Sequence, residues 1–206
     1  LRNVYELMGD SAPAELSRPI TSTVTQQLHS HPNRFLPVKV DGREAFFEWI
    51  NAGCYVSGSQ RGTMTLVTDG LTQKLWFGFD QDNLFIRLDA IGLTAADFKE
   101  VDEIRVHFVE PTGYEVSVTG FENPDQLTVS IIHEGTKSVS ATCSAAVGEI
   151  FEMAINRSAM NLKEQDSLHF FVELLHGSNS LDRAPNEGTI ETSVPAKDFE
   201  NFMWQV

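Results

Sequence analysis

The stretch Lys74–Ala90, KLWFGFDQDNLFIRLDA, decides how the chain is read. Leu75, Phe77 and Phe79 alternate with Lys74, Trp76 and Gly78, and Leu84, Ile86 and Leu88 alternate with Phe85, Arg87 and Asp89. Two period-two runs separated by Asp80-Gln81-Asp82-Asn83 predict a β-hairpin in which each run has one fully apolar face to bury. Asp and Asn suit the connection because they tolerate left-handed backbone angles and bond their own main chain. The same oxygen-rich residues superficially suit calcium. They lack the Gly and the distal Glu of an EF-hand, so a plain turn is the better reading.

Toward the C-terminus the rule repeats at short intervals. Ile104, Val106 and Phe108 alternate, Pro111-Thr112-Gly113 turns, and Tyr114, Val116 and Val118 alternate again. Leu127, Val129 and Ile131, then Phe151, Met153 and Ile155, predict further strands, and Ile190–Val194 the last. Leu168–Leu175 is apolar at successive positions, as a central strand covered on both sides would be. Asp97–Glu100 reads as a helical turn.

Toward the N-terminus, Thr63–Thr68 predicts a strand, and Asn51–Gly62, NAGCYVSGSQRG, a loop rich in small residues. Val38 and Val40 form a short strand into an Asp41-Gly42 turn, followed by Phe46, Phe47, Trp49 and Ile50, a run too aromatic for a simple solvated strand. Residues 1–31 read as a helical segment or connector, with Leu16, Ile20, Val24 and Leu28 at helical spacing and Pro19 in a first turn or at a kink. His29 and His31 are a local pair of candidate ligands with no third beside them, so a solvated loop is expected there rather than a metal site.

About nine strands, short turns and one helical segment predict an all-β fold. The expected form is an antiparallel two-sheet β-sandwich over residues 32–206, immunoglobulin-like or carbohydrate-binding-module-like, with the helical segment 1–31 ahead of it. With 206 residues, 41% of them hydrophobic, one sandwich can bury a core of its own. The net charge of −14, from 29 acidic against 15 basic residues, repels phosphate backbones and anionic lipid heads, so neither nucleic acid nor a membrane surface is expected as a partner. Cys54 and Cys143 are far apart and read as free thiols rather than a disulfide framework. No apolar run reaches the ~20 residues of a membrane span and the first residues lack a signal-peptide order, so a cytoplasmic protein is expected. Leu1 in place of Met reads as the start of a piece of a longer protein.

No motif for catalysis stands out. There is no nucleophile elbow, no phosphate-binding glycine loop, and no CxxC spacing for a metal. Among 29 acidic residues some pair falls at any chosen spacing, so carboxylate pairs alone do not argue for glycoside hydrolysis. No cofactor and no catalytic residue is predicted.

Four stretches nevertheless resemble a known family. VDGREAFFEWINAGCY at Val40–Tyr55, Arg61-Gly62-Thr63-Met64, GFDQDNLFIRLD, and PNEGTIETSVPAKDFENFMWQV at Pro185–Val206 are similar, in this order, to the C-terminal β-domain of family 57 glycoside hydrolases. The hairpin alone is also similar to family 9 carbohydrate-binding modules. Thr65 departs from the pattern, where members often carry His, which bears on any polar site such a His serves. The family's enzymes are retaining α-glucan hydrolases and transferases whose catalytic carboxylates lie in an N-terminal barrel with no counterpart in these stretches. The resemblance therefore implies a non-catalytic accessory domain that supports or docks the catalytic domain of the same parent protein. The alternative is a carbohydrate-binding module for a neutral α-glucan-type oligosaccharide. Stacking a pyranose needs exposed aromatics, and the candidates are Trp49, Tyr55, Trp76 and Trp204. If the domain binds a sugar, the site is expected beside the Asn51–Gly62 loop, at Tyr55 with Arg61 and Trp49; the favoured competing reading packs Tyr55 inward beneath the loop and pairs Arg61 with an acid.

Overall fold

The computed structural model describes residues 29–57, 70–90 and 100–199. Among these, twelve strands form two antiparallel sheets, one of five strands and one of seven. The expected all-β two-sheet sandwich is the fold. The expected helical segment lies outside the described residues apart from His29–His31. So do Arg61, Trp204, the strand expected over 63–68, and all but Glu100 of the turn expected at Asp97–Glu100.

The first sheet runs β1 (Gly53–Val56), β2 (Thr72–Phe79), β3 (Asn83–Ala90), β9 (Phe151–Asn156), β8 (Ser144–Val147). The second runs β11 (Asn179–Ala184), β10 (Ser167–His176), β4 (Glu103–Glu110), β5 (Tyr114–Thr119), β6 (Thr128–His133), β7 (Thr136–Val139). A further strand, β12 (Ile190–Ser193), pairs the first part of β10, so β11 and β12 share one edge of that strand end to end.

The hairpin forms as its alternation requires. Leu75 stands opposite Leu88, Phe77 opposite Ile86 and Phe79 opposite Leu84, while Leu88, Ile86 and Leu84 stand opposite Phe151, Met153 and Ile155 of β9. All nine side chains are buried. They meet Ile104, Val106 and Phe108 of β4 and the inward residues of β5, β6 and β10 in one core between the sheets. Phe77 meets Phe170 edge to face with ring centroids 5.9 Å apart. The turn is closed by Asp80, whose carboxylate Oδ1 accepts the backbone N–H groups of Asp82 at 2.7 Å and Asn83 at 2.6 Å. That side-chain closure is the plain-turn reading of these residues.

Several local expectations are corrected. Val38 and Val40 are in no strand: residues 31–40 run in irregular extended backbone over the outer face of the first sheet. Leu36 sits there against Gly78 of β2, where any side chain on residue 78 would collide with it. The Phe46–Trp49 segment is a single helical turn, α1. Part of the expected loop is β1, paired antiparallel to β2, and Gly53 is glycine because a side chain there would enter the Phe77 ring and the Ser30 carbonyl. β10 is central but covered on one face only. Leu168, Phe170, Val172 and Leu174 are buried, whereas His169, Phe171 and Glu173 lie half-exposed on the outer face. The strands covered on both faces are β3, buried from Leu84 to Ala90, and its neighbour β9, buried from Phe151 to Ile155. β7, β8 and β11 were not expected, since TKSV, SAAV and NSLDRA carry little apolar alternation and are strands through pairing.

His29 is also corrected. Its ring is buried against Phe77, with centroids 5.3 Å apart, so it does not sit in a solvated loop. Nδ1–H donates to the Ser30 carbonyl and Nε2 accepts the backbone N–H of Glu191 at 3.0 Å, the arrangement of a neutral imidazole. Burial, more than any neighbouring charge, holds its pKa below the ordinary histidine value. His31 beside it is exposed.

Phe77→Ala removes the side chain through which the hairpin, β1 and the second sheet all meet. Its expected cost is about 3–5 kcal/mol of unfolding free energy, read from urea denaturation. A cost below about 1 kcal/mol would contradict this account of the core.

Candidate functional site

The outer face of the first sheet carries the polar chemistry of the fold. Strand register places Cys54, Trp76, Arg87, Glu152 and Ala146 in one row across β1, β2, β3, β9 and β8. Residues 36–50 cross this face, so a row that alternation would leave to solvent is largely covered. Burying Arg87, Asp89 and Glu152 there demands partners for each.

The partners are supplied by neighbours in space. Arg87 Nε donates to Asp89 Oδ1 at 2.6 Å and Nη2 donates to Glu44 Oε1 at 3.1 Å. Its guanidinium lies between two indoles, 5.7 Å from the Trp76 ring centre and 6.0 Å from that of Trp49. Trp76 Nε1–H donates to the other oxygen of Asp89 at 2.9 Å, and Trp49 Nε1–H donates to Glu152 Oε1 at 2.9 Å. Glu152 Oε2 accepts the backbone N–H groups of Asp41 and Gly42 at 3.2 and 3.1 Å. Gly42 has a positive φ of 74° and packs against the Gly148 backbone, so this close approach requires glycine.

Desolvation raises the pKa of Glu152 above the usual carboxylate range against the opposing effect of its three N–H donors. Cys54, next to Trp76 in the row, is pushed up to about 11 by burial, so its thiol stays protonated near neutral pH. Cys54 and Cys143 are both free thiols, as expected from the sequence.

Above this row opens a cleft of about 410 Å³. Trp76, Trp49, Arg87 and Asp89 form its inner wall, and Lys74, Glu44, Phe46 and Ile50 its mouth. Lys74 Nζ lies 5.6 Å from the Trp76 ring centre. Two carboxylates and two cations line it, so it is locally neutral in a chain of net charge −14. Beside it, α1 presents Phe46, Phe47 and Ile50 at 68%, 80% and 53% exposure.

A second hollow, of about 450 Å³, lies on the outer face of the second sheet between Arg105, His107, Tyr114, Glu115 and Glu134. Its Arg105 and His107 are paired with neighbouring carboxylates. Arg105 bonds Glu103 at 2.9 Å through two nitrogens, and His107 Nε2 bonds Glu173 at 3.0 Å.

Of the residues singled out in the sequence, the structure brings Trp49 and Trp76 together. Tyr55 is not the exposed ring a sugar site needs but packs inward, as the competing reading has it: it stands opposite inward-facing Leu75, is 4% exposed, and its hydroxyl accepts the backbone N–H of Asn186 at 3.3 Å. Sequence reasoning passed over Lys74, Arg87, Asp89, Glu44 and Glu152. A usable signal was present, since Arg87 and Asp89 are charges at alternate positions of an otherwise apolar strand. Among the described residues no group of three or more His, Cys, Asp or Glu is arranged to hold a metal ion.

Comparison with protein-family models, with curated proteins and with solved structures finds no match in any of the three.

Because the Glu152 carboxyl titrates higher in the fold than the ~4.3 of an unfolded chain, its contribution to stability is full below that value and is lost as pH rises through the raised folded pKa. Measured against wild type from pH 4 to 8, Glu152→Gln is therefore expected to lose less stability with rising pH. Parallel pH profiles for the two proteins would contradict a buried, hard-to-ionise Glu152.

Proposed function

We propose that this sandwich is a non-catalytic accessory domain that docks against the catalytic domain of the same parent protein, in the manner that its resemblance to family 57 glycoside hydrolases implies. The observation that carries this reading is the α1 ledge, where Phe46, Phe47 and Ile50 expose large apolar side chains on one turn. Such a cluster marks an interaction surface more often than a free one. α1 is braced for the role: Trp49 anchors it to Glu152, and the Glu48 carboxylate accepts the Lys39 backbone N–H.

The carboxylates of the neighbouring row favour a supporting over a catalytic role. Glu152 and Asp89 are occupied by indole, backbone and guanidinium donors, not poised across an open bond-cleaving site. A cytoplasmic location is part of the same proposal, supported by the two free thiols. No helix among the described residues is long and apolar enough to cross a membrane.

Phe47→Asp tests the docking reading. In the isolated chain it is expected to shift stability by less than about 1 kcal/mol, because the side chain is 80% exposed. In the parent protein it is expected to loosen the domain junction, seen as faster hydrogen exchange over residues 45–51. Equal exchange of that segment in the isolated chain and in the parent protein would remove the docking surface from consideration. The isolated chain is further expected to release no reducing sugar from starch above a heat-killed control; turnover lost on replacing one carboxylate would overturn the non-catalytic assignment.

A further inference from the structure

We infer that residues 29 and 30 form a staple joining the two sheets along one side of the sandwich, and that the staple opens in acid when Nε2 of His29 takes up a proton. The bonds that brace α1 involve none of His29, Ser30 and Glu191, so the inference does not rest on the docking reading.

β1 ends the first sheet, and β12 lies beside β10 on the side away from β4 in the second, so each has an edge whose backbone groups need partners. Two consecutive residues serve both edges. Ser30 pairs with Cys54 of β1: its backbone N–H donates to the Cys54 carbonyl at 3.0 Å, and its Oγ accepts the Cys54 N–H at 2.9 Å. His29 reaches the other sheet, where its Nε2 accepts the backbone N–H of Glu191 on β12 at 3.0 Å. The His29 ring is 8% exposed and meets Phe77 edge to face, so a bond lost there is not exchanged freely for one to bulk water. Beside the staple, the Asn186 N–H donates to the Tyr55 hydroxyl and the Thr72 N–H to Asp182, bonds that still join the sheets when the staple opens.

The switch follows from the inventory of an imidazole. Nδ1–H donates to the Ser30 carbonyl, and the lone pair of Nε2 is engaged by the Glu191 N–H. A proton added at Nε2 sets N–H against N–H, and the bond to β12 is lost. The groups facing the ring among the described residues set where this happens. The Glu191 carboxylate on β12 favours the imidazolium, whereas His31, with its ring centre 4.9 Å away, opposes it when charged. β2 presents the uncharged Phe77 ring, and Cys54 on β1 carries a protonated thiol. Burial outweighs these neighbours and holds the His29 pKa down. Because the folded pKa lies below the ~6.5 of an unfolded chain, the staple contributes fully above that value and is lost as pH falls through the folded pKa.

Other titrating groups do not imitate it. His107, His169 and His176 have a carboxylate oxygen at 3.0, 3.7 and 3.2 Å, where an added proton adds attraction rather than a clash. Glu152 acts in the opposite sense, its contribution being lost as pH rises.

The test is amide hydrogen exchange on the 206-residue chain by NMR, expressed as protection relative to the intrinsic rate at each pH. Between pH 7.5 and pH 5, protection of the Glu191 N–H is expected to fall about tenfold while that of Ile86 in β3 holds within about twofold, as protonation of one imidazole in the opened form allows. His29→Gln offers an amide oxygen that does not titrate in place of Nε2, and is expected to abolish the fall. Glu191→Gln keeps the backbone donor and is expected to move the midpoint of the fall to lower pH, and His31→Gln to move it to higher pH. Glu191 protection that follows Ile86 throughout overturns the staple, as does a fall that persists unchanged in a folded His29→Gln chain. Should His29→Gln fail to fold, the two neighbouring variants decide, and a midpoint unmoved in both overturns it.

Discussion

β3 has no face left for water, and much of the remaining structure answers to that constraint. Its inward residues Leu84, Ile86 and Leu88 fill the space between the sheets, while its outward residues Phe85, Arg87 and Asp89 are buried as well. An apolar outward residue needs only cover, and Phe85 receives it from Leu36 and Trp49 in a small second core. A buried guanidinium needs an acceptor for its charge, or the desolvation cost goes unopposed. Asp89 on the same strand and Glu44 on the crossing segment supply it.

This explains the irregular path of residues 29–50. The segment has few backbone bonds of its own and is tied down one group at a time: Ser30 N–H to the Cys54 carbonyl, Leu36 N–H to the Phe79 carbonyl, and Asp41 and Gly42 N–H to Glu152. These four ties are made to the sheet, so cover and sheet depend on one another; within the segment, Glu48 accepts the Lys39 N–H and Asp41 the Arg43 N–H. A buried ion pair of this kind adds little net stability compared with a well-packed apolar substitute. Its consequence is positional: the Arg87 network sets where the cover, the two indoles and α1 lie with respect to β3. The ledge and the cleft follow from that placement.

The two outer faces of the sandwich are consequently unlike. On the second sheet, charges are half-buried and paired on the outer face, as between Arg105 and Glu103 or His107 and Glu173, and such partly solvated pairs are weakly stabilising and screened by salt. Arg183 lies 4.1 Å from the Phe171 ring centre, and Phe171 stacks on His107 with centroids 4.6 Å apart. The Arg183 guanidinium also donates to the carbonyls of Pro185, Asn186 and Gly188, so it holds the β11–β12 connection rather than an open site. The first sheet instead buries its charges beneath a covering segment and borders a cleft with Trp49, Trp76 and Phe46.

How much of this could be read from the chain differs by the range of the interaction involved. Alternation in Lys74–Phe79, Leu84–Ala90, Ile104–Phe108 and Phe151–Ile155 is local, and it determined the sandwich, the hairpin turn and the core residues, because a period of two leaves a strand only one way to bury an apolar face. β7, β8 and β11 were not legible, since short polar strands owe their state to a neighbour's hydrogen bonds, which leave no periodic mark in the sequence. Trp49 and Trp76 were identifiable as aromatics worth placing, yet nothing local says that one is buried on Glu152 and the other borders a cleft. Tyr55 points inward because pairing with β2 sets it opposite Leu75, a matter of register between segments twenty residues apart. The site itself joins Glu44, Trp76, Arg87 and Glu152 from four separate segments, and only the folded cover over β3 brings them within hydrogen-bonding and ring-contact distance.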